Sequence, residues 1–327
     1  MIKGTIFSPC RDYRYTLYRE WAHHTFNPWY GCTKVGPGCD NCYAEAWAKR
    51  SGLVKWGFRQ ERRRTTAANW RKPLAWNAEA ERLGIRYRVF CASLADVFDN
   101  SVPPEWRVEL FRLIRETPHL DWLLLTKRIG NVSGMVPLPW VSKPFQHGPD
   151  PTNIYPTGWP PNVWIGATIC NQEEADRDIP KLLAVPAHVR FLSMEPLLGA
   201  VGLPFDRLRE WNRIALLNQQ EYAASNIDWV IVGGESGPHA RPMHPDWARS
   251  IRDQCAAAGV PFLFKQWGEW AHDSRIIDTK DNTFHRFEDG TWMQRVGKRE
   301  ASRLLDGVEH NDYPAAGDSQ ILISKVE

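Results

Sequence analysis

Six short apolar runs constrain the architecture of this chain more than any other feature: Arg88–Ser93, Trp122–Thr126, Val163–Thr168, Val189–Ser193, Trp229–Gly233 and Pro261–Lys265. Each is too short for a stable helix, is rich in β-branched and aromatic residues, and reads as a buried strand. Helix-like segments lie between several of them. Pro104 to Glu116 carries Trp106, Leu110, Leu113 and Ile114 at helical spacing, and Pro245 to Ala258 puts Trp247, Ile251 and Cys255 on one face. Strand and helix in alternation imply a parallel sheet. An extended stretch around Trp21 to Trp29 supplies a first strand, giving six or seven. The expectation is an α/β fold, a complete or partial parallel (β/α) barrel of the TIM type with a small irregular C-terminal extension.

The rhythm breaks in three places. Residues 134–161 hold eight of the 24 prolines and read as a long loop or lid, and residues 203–225 as a more helical insertion. After Trp270 the parallel pattern stops, and Phe287 to Trp292 reads as a hairpin turn. The barrel is thus expected over 1–270 and the extension over 271–327. With 43% apolar residues in 327, the chain can bury a full core. No apolar run approaches the ~20 residues of a membrane span, and the start, Met1 to Thr5, lacks a signal-peptide stretch. A cytoplasmic protein without membrane contact is expected.

Polar groups follow every strand: Leu94 to Asp99, Lys127 and Arg128, Asn171 to Glu173, Met194 to Pro196, Gly234 to Ser236, and Gln266 with Trp267. Parallel α/β folds bind ligands at the carboxyl ends of their strands, where the loops converge. Asp96, Lys127, Glu195 and Lys265 are therefore the candidate catalytic groups. Helix capping is the alternative for any one of them.

Seven cysteines, an odd number without an export signal, argue against a disulfide framework. Cys32, Cys39 and Cys42 form a C-x6-C-x2-C cluster after the first strand, with Gly36, Pro37 and Gly38 letting the backbone wrap. Three thiolates are one short of a closed zinc site. A four-iron cluster held by three cysteines leaves one iron open, which in radical enzymes binds S-adenosylmethionine. An iron–sulfur cluster, zinc and unliganded cysteines are the three options. Cys10, Cys91, Cys170 and Cys255 stand apart and read as small buried apolar residues.

The cysteine segment resembles the phage-associated three-Cys-motif family, a radical-SAM-like group often encoded beside a three-Cys-motif partner protein. The resemblance runs on through Asp96–Asp99, Leu125–Arg128, Phe191–Pro196, Trp229–Ser236, Arg241–Asp246, Phe264–Trp270 and Leu304–Gly307. It implies a radical-SAM/TIM-type barrel whose Cys32, Cys39 and Cys42 hold a [4Fe–4S] cluster that cleaves S-adenosylmethionine to a radical. It also implies the partner protein as a binding partner. Two positions differ from the usual radical-SAM pattern. The residue before the last cysteine is Asn41 rather than an aromatic, with Tyr43 taking the shielding role. Ser93 and Asp96 stand where a Gly-Gly-Glu usually binds the cofactor, while Gly233, Gly234 and Glu235 follow the sixth strand. All six are candidate cofactor contacts, Tyr43 included with Ser93, Asp96 and the Gly-Gly-Glu.

From Lys49 to Lys72 there are nine basic residues and one acid, Glu61, although the whole chain carries only +3. Basic groups interleaved with aromatics suit a phosphate backbone with unstacked bases. Arg59, Arg62, Arg63, Arg64, Trp56 and Trp70 are the candidate nucleic-acid contacts. The functional expectation is a radical enzyme modifying or repairing nucleic acid. The alternatives are a metal-stabilised barrel exchanging bases through Asp96, Asp99 or Glu195, and a non-catalytic nucleic-acid-binding module whose structural metal takes a fourth ligand from His23 or His24.

Overall fold

The computed structural model describes residues 21–141, 158–210, 226–272 and 283–314. Its elements in chain order are β1 (His24–Thr25), β2 (Trp29–Tyr30), α1 (Tyr43–Ser51), β3 (Arg63–Arg64), α2 (Ala67–Trp70), α3 (Lys72–Leu83), β4 (Tyr87–Cys91) and α4 (Pro104–Glu116). There follow β5 (Leu120–Thr126), α5 (Val132–Met135), α6 (Leu138–Val141), β6 (Val163–Thr168), α7 (Gln172–Leu183), β7 (Val189–Met194), β8 (Trp229–Gly233) and α8 (Pro245–Ala258). The last four are β9 (Phe262–Gln266), β10 (Trp270–Ala271), β11 (Phe284–Arg286) and β12 (Trp292–Arg295).

Local chemistry sets the helix ends. Pro104 opens α4 with its φ already helical and no N–H to leave unpaired. Leu110, Phe111, Leu113 and Ile114 then give α4 one buried face. The Asn171 side chain accepts the Glu174 N–H to start α7. His244 accepts the Asp246 N–H ahead of α8, and Gly259, at φ +68°, ends it.

Seven strands pair side by side in the order β1-β4-β5-β6-β7-β8-β9, every neighbour parallel. Among the described residues β1 and β9 do not pair, so the sheet is a partial barrel. The first strand is shorter than the sequence suggests: only His24 and Thr25 pair with β4.

Period-2 alternation decides what faces the concave side. Leu123, Trp164, Val189, Phe191, Trp229, Ile231 and Leu263 form a separate buried cluster there, backed by Trp21, Leu125 and Tyr313. Trp229 packs edge-on to Trp164 at 6.2 Å and lies 6.0 Å from Phe191. Two to four positions further along the same strands the side chains become polar. Thr168, Ser193 and Lys265 line a cavity above this aromatic floor. Gly166 is the exception within the floor: a Cβ there would strike the Phe191 ring. Gly166→Ala is expected to lower stability by about 1–3 kcal/mol through overpacking. Urea unfolding checks it, and an unchanged midpoint would mean that the Phe191 ring moves aside freely.

The C-terminal extension contains the expected hairpin, with β11 and β12 antiparallel in a three-stranded sheet with β10. It also returns to the barrel. Phe264 N–H donates to His310 O (3.0 Å) and Asp312 N–H to Phe262 O (3.2 Å). Trp229 Nε1 donates to Asp312 O at 2.9 Å, and Tyr313 packs 5.4 Å from the Trp229 ring, covering the lower end of the interior. Residues 205–210 are helical, as expected of that insertion. The rest of it, most of the proline-rich loop and Cys10 lie outside the described residues. No helix among those described is long and apolar enough to cross a membrane.

Candidate functional site

A cavity of about 450 Å³ opens at the carboxyl ends of the strands, a size typical of small-ligand sites. Ser93, Asp96, Lys127, Arg128, Thr168, Ser193, Glu195, Gly234, Glu235, Lys265 and Gln266 reach it from six strand ends, and Cys32, Cys39 and Cys42 are on its wall. Three strand-end groups do other work. Asn171 caps α7, Asp99 is buried in an ion pair, and Trp267 is core.

The cysteine loop is tightly packed. A 3-10 turn, Pro37–Cys39, is closed by the Cys39 N–H on Gly36 O (2.9 Å). A Cβ at Gly36 would meet the Glu174 carboxylate and one at Gly38 the Cys170 sulfur. Both glycines are thus required by close approach rather than by a left-handed φ. Cys42 stands at the N-cap of α1, close to the amides of Glu45 and Ala44 but without a side-chain cap hydrogen bond. Arg128 Nη1 lies 3.4 Å from the Cys32 sulfur. Burial pushes the Cys32 thiol up to about 12, with Asp96 adding to the effect and Arg128 opposing it. Burial also raises Cys42 against the two amides and Lys127. A bound cation would supply the missing compensation, since metal ligation deprotonates a thiol outright. Among the described residues the only three His, Cys, Asp or Glu ligand atoms within 4.8 Å of one another belong to His244, Asp246 and Asp289. At least one pair of the three cysteine sulfurs is therefore farther apart than that. Tetrahedral zinc, with bonds near 2.3 Å, would hold adjacent sulfurs at about 3.8 Å.

The candidate acids differ in what they have left to offer. Asp96 accepts from Thr126 Oγ1 (2.8 Å), Phe98 N (2.9 Å), Lys127 N (3.1 Å) and Arg128 Nη1 (3.0 Å). Its four acceptor positions are filled, and it holds Arg128 toward Cys32. Glu235 is similarly committed, accepting from Asn41 Nδ2 (3.0 Å) and from Arg241 through N (2.8 Å), Nε (2.9 Å) and Nη2 (2.6 Å). Burial raises its pKa, but these bonds prevail and keep it below the ordinary carboxylate value. Arg241 also binds Asp40 and Pro37 O, so the pair fastens the cysteine loop to β8. A Cβ at Gly233 would lie 2.8 Å from Glu195 Oε2, and one at Gly234 would strike Trp267 O. Crowding accounts for this glycine pair, by the Glu195 side chain at Gly233 and by backbone at Gly234.

Glu195 and Lys265 form an ion pair at 3.0 Å inside the cavity, with Lys265 4.7 Å above the Trp21 ring. Lys127 Nζ donates to Thr168 Oγ1 (3.1 Å). Ser93 Oγ is held by Asn27 Nδ2 at 3.0 Å, and Tyr43 Oη donates to Ser93 O at 2.7 Å, placing its ring at the cavity mouth. The sequence reading did not single out Arg128, Asn41, Arg241 or Trp21 as site residues. Arg128 beside Lys127 at a strand end was the available signal; the others show only in three dimensions.

The basic stretch divides. Arg62 is buried and paired to Asp99 at 2.7 Å, and Trp70 is core, edge-on to Phe26, so neither presents itself to a nucleic acid. The Arg64 guanidinium lies over Trp70 and pairs with Glu109 at 2.6 Å. Arg59 and Arg63 are exposed, and Trp56 lines the cavity. His23 and His24 are not in its lining. His23 Nδ1 accepts the Arg88 N–H (2.8 Å), and His24 stacks on Trp76 at 4.2 Å.

Residues 18–314 match the family described as "Protein of unknown function (DUF5131)". No curated protein matches the sequence. Among solved structures, a spore photoproduct lyase mutant with bound AdoMet and dinucleoside spore photoproduct is similar at TM-score 0.41 and 11% identity, over 90% of this chain and 75% of that one. A spore photoproduct lyase complexed with dinucleoside spore photoproduct is similar at TM-score 0.39 and 10% identity, over 85% and 70%. Likeness at this level assigns no reaction to this chain.

Proposed function

We propose that this chain, which belongs to the DUF5131 family, is a radical-SAM-type iron–sulfur enzyme acting on nucleic acid. One observation carries the reading: three cysteines of a single loop stand on the wall of a cofactor-sized cavity at the carboxyl ends of a parallel partial barrel. The donor set fits a cluster. Arg128 donates to the Cys32 sulfur, as it would to a negatively charged ligand, and Cys42 stands at the positive N-terminal end of α1. When bound, the cluster would supply one-electron cleavage of S-adenosylmethionine.

The chain's own residues then have separable tasks. Cys32, Cys39 and Cys42 bind the cluster, while Asp96 and Glu235 position Arg128 and the cysteine loop. Glu195 and Lys265, whose charges face the cavity, hold the ammonium and carboxylate of the cofactor's amino-acid end. The aromatic floor under them excludes water from below. A phage or mobile-element setting, a three-Cys-motif partner protein and a cytoplasmic location belong to the same proposal.

Anaerobically purified protein is expected to contain iron and sulfide near four per chain and to bind S-adenosylmethionine in calorimetry. Binding should weaken in Glu195→Gln and Lys265→Met. Stoichiometric zinc without iron would overturn the cluster assignment; iron with no S-adenosylmethionine binding would overturn the cofactor assignment alone.

A further inference from the structure

We propose that Phe58, with Arg59 against its ring, is a rigid wedge that stacks on a base of nucleic acid at the cavity mouth. The inference rests on the nucleic-acid reading above and names the residue that would carry its preference for unpaired bases. Phe58 is 72% exposed. A single exposed aromatic means little by itself, but this one sits on a turn that is held in place from beneath. Gly57, at φ +122°, donates its N–H to Cys32 O (2.9 Å) and accepts from Thr33 Oγ1 (3.0 Å) and Arg62 Nη1 (3.3 Å). Arg62 Nη1 also donates to Gln60 O (2.7 Å), and Asp99 fixes Arg62 from behind. Arg59 completes the turn at φ +57°, a conformation that disfavours any residue with a Cβ, and its guanidinium carbon lies 5.1 Å from the Phe58 ring centre.

The turn is thus bonded to the backbone of the first cysteine, and the residue preceding it, Trp56, lines the cavity. Lys55, Arg59 and Arg63, all exposed, lie within five residues of Phe58 in the chain, against the single acid Glu61. Exposed cations in the same stretch as an exposed aromatic face suit a nucleic acid whose bases are unstacked, because stacking is tolerant of sequence and charge supplies attraction to the backbone. Buried Arg62, expected from sequence to touch phosphate, instead braces the wedge.

The probe is a single-stranded oligonucleotide carrying 2-aminopurine, read by fluorescence in titrations with the full chain. Phe58→Ala is expected to weaken binding roughly 5- to 100-fold and to lose most of the fluorescence change, while Phe58→Trp retains both. The salt slope should be unchanged, since no charge is removed. A triple Lys55→Ala, Arg59→Ala, Arg63→Ala variant should instead flatten the log–log salt slope by about two to three units. Equal binding by Phe58→Ala and wild type, with the salt slope intact, would overturn the wedge and leave the nucleic-acid reading standing. Wild type that binds no oligonucleotide at any salt concentration would overturn both, and an acidic protein surface would then be the partner the charge fits. Because the ring is exposed, Phe58→Ala should melt like wild type, so a loss of binding is not a loss of folding.

Discussion

Anaerobically purified protein is expected to carry a brown, oxygen-sensitive chromophore, and alanine at Cys32, Cys39 or Cys42 is expected to abolish it, each variant falling to a small fraction of wild-type iron. Cys255→Ala should keep full iron, because Cys255 lies on the buried face of α8 in the hydrophobic core and does not line the cavity. The size of the effect follows from burial. Burial raises the Cys32 and Cys42 thiols, so the loop gains its stability as a site only when a metal centre offsets the negative charge of its thiolates. With one sulfur missing, two remain, and the positive charge of Arg128 beside Cys32 faces an incomplete set. Arg128→Met should give a graded outcome, with iron partly retained and the cluster's reduction potential lowered through loss of a positive donor to Cys32. Should any cysteine variant keep wild-type iron and absorption, that residue is not a ligand and the loop's geometry has been misread.

How much of this site was legible in the sequence depended on the range of the interaction. The strands were readable because a buried parallel strand is apolar on both faces, and β6 and β8 begin and end where their apolar runs do. The convergence of polar strand ends followed from topology, and Lys127, Glu195 and Lys265 reach the cavity as expected. The committed states of Asp96 and Glu235 were not readable. Glu235 looks free in sequence, yet Arg241 folds back over it and Asn41 arrives from almost two hundred residues away. The basic stretch shows the same limit. Arg62, Arg63 and Arg64 are consecutive, but pairing of β3 with β2 turns successive side chains to opposite sides. One arginine of the three became buried structure and another remained exposed. Composition records the charge of such a run and cannot assign its faces.

Arg62 and Asp99 also carry the largest stability effect expected outside the cysteines. Their side chains are 0% and 3% exposed, and two nitrogens of Arg62 meet Asp99 Oδ2, at 2.8 and 2.7 Å. The remaining donors bind Thr33 Oγ1, Gly57 O and Gln60 O, and Asp99 Oδ1 accepts the Ser101 N–H at 3.1 Å. Asp99→Ala would leave a buried guanidinium without its counter-charge, a change that costs about 3–5 kcal/mol when one partner of a buried pair is removed. The exposed pair Arg64–Glu109 provides the contrast, since Glu109→Ala removes a contact already screened by solvent and should cost less than about 1 kcal/mol. A double variant, Arg62→Met with Asp99→Leu, removes both charges and is expected to recover part of the loss, because two apolar side chains avoid the desolvation penalty. It should not recover the position of the Phe58 turn, which depends on hydrogen bonds that only the guanidinium supplies. Urea unfolding of the four proteins separates these terms. If Asp99→Ala and Glu109→Ala shift the midpoint equally, the buried pair contributes no more than a surface one, and the brace beneath the cysteine loop must be sought elsewhere.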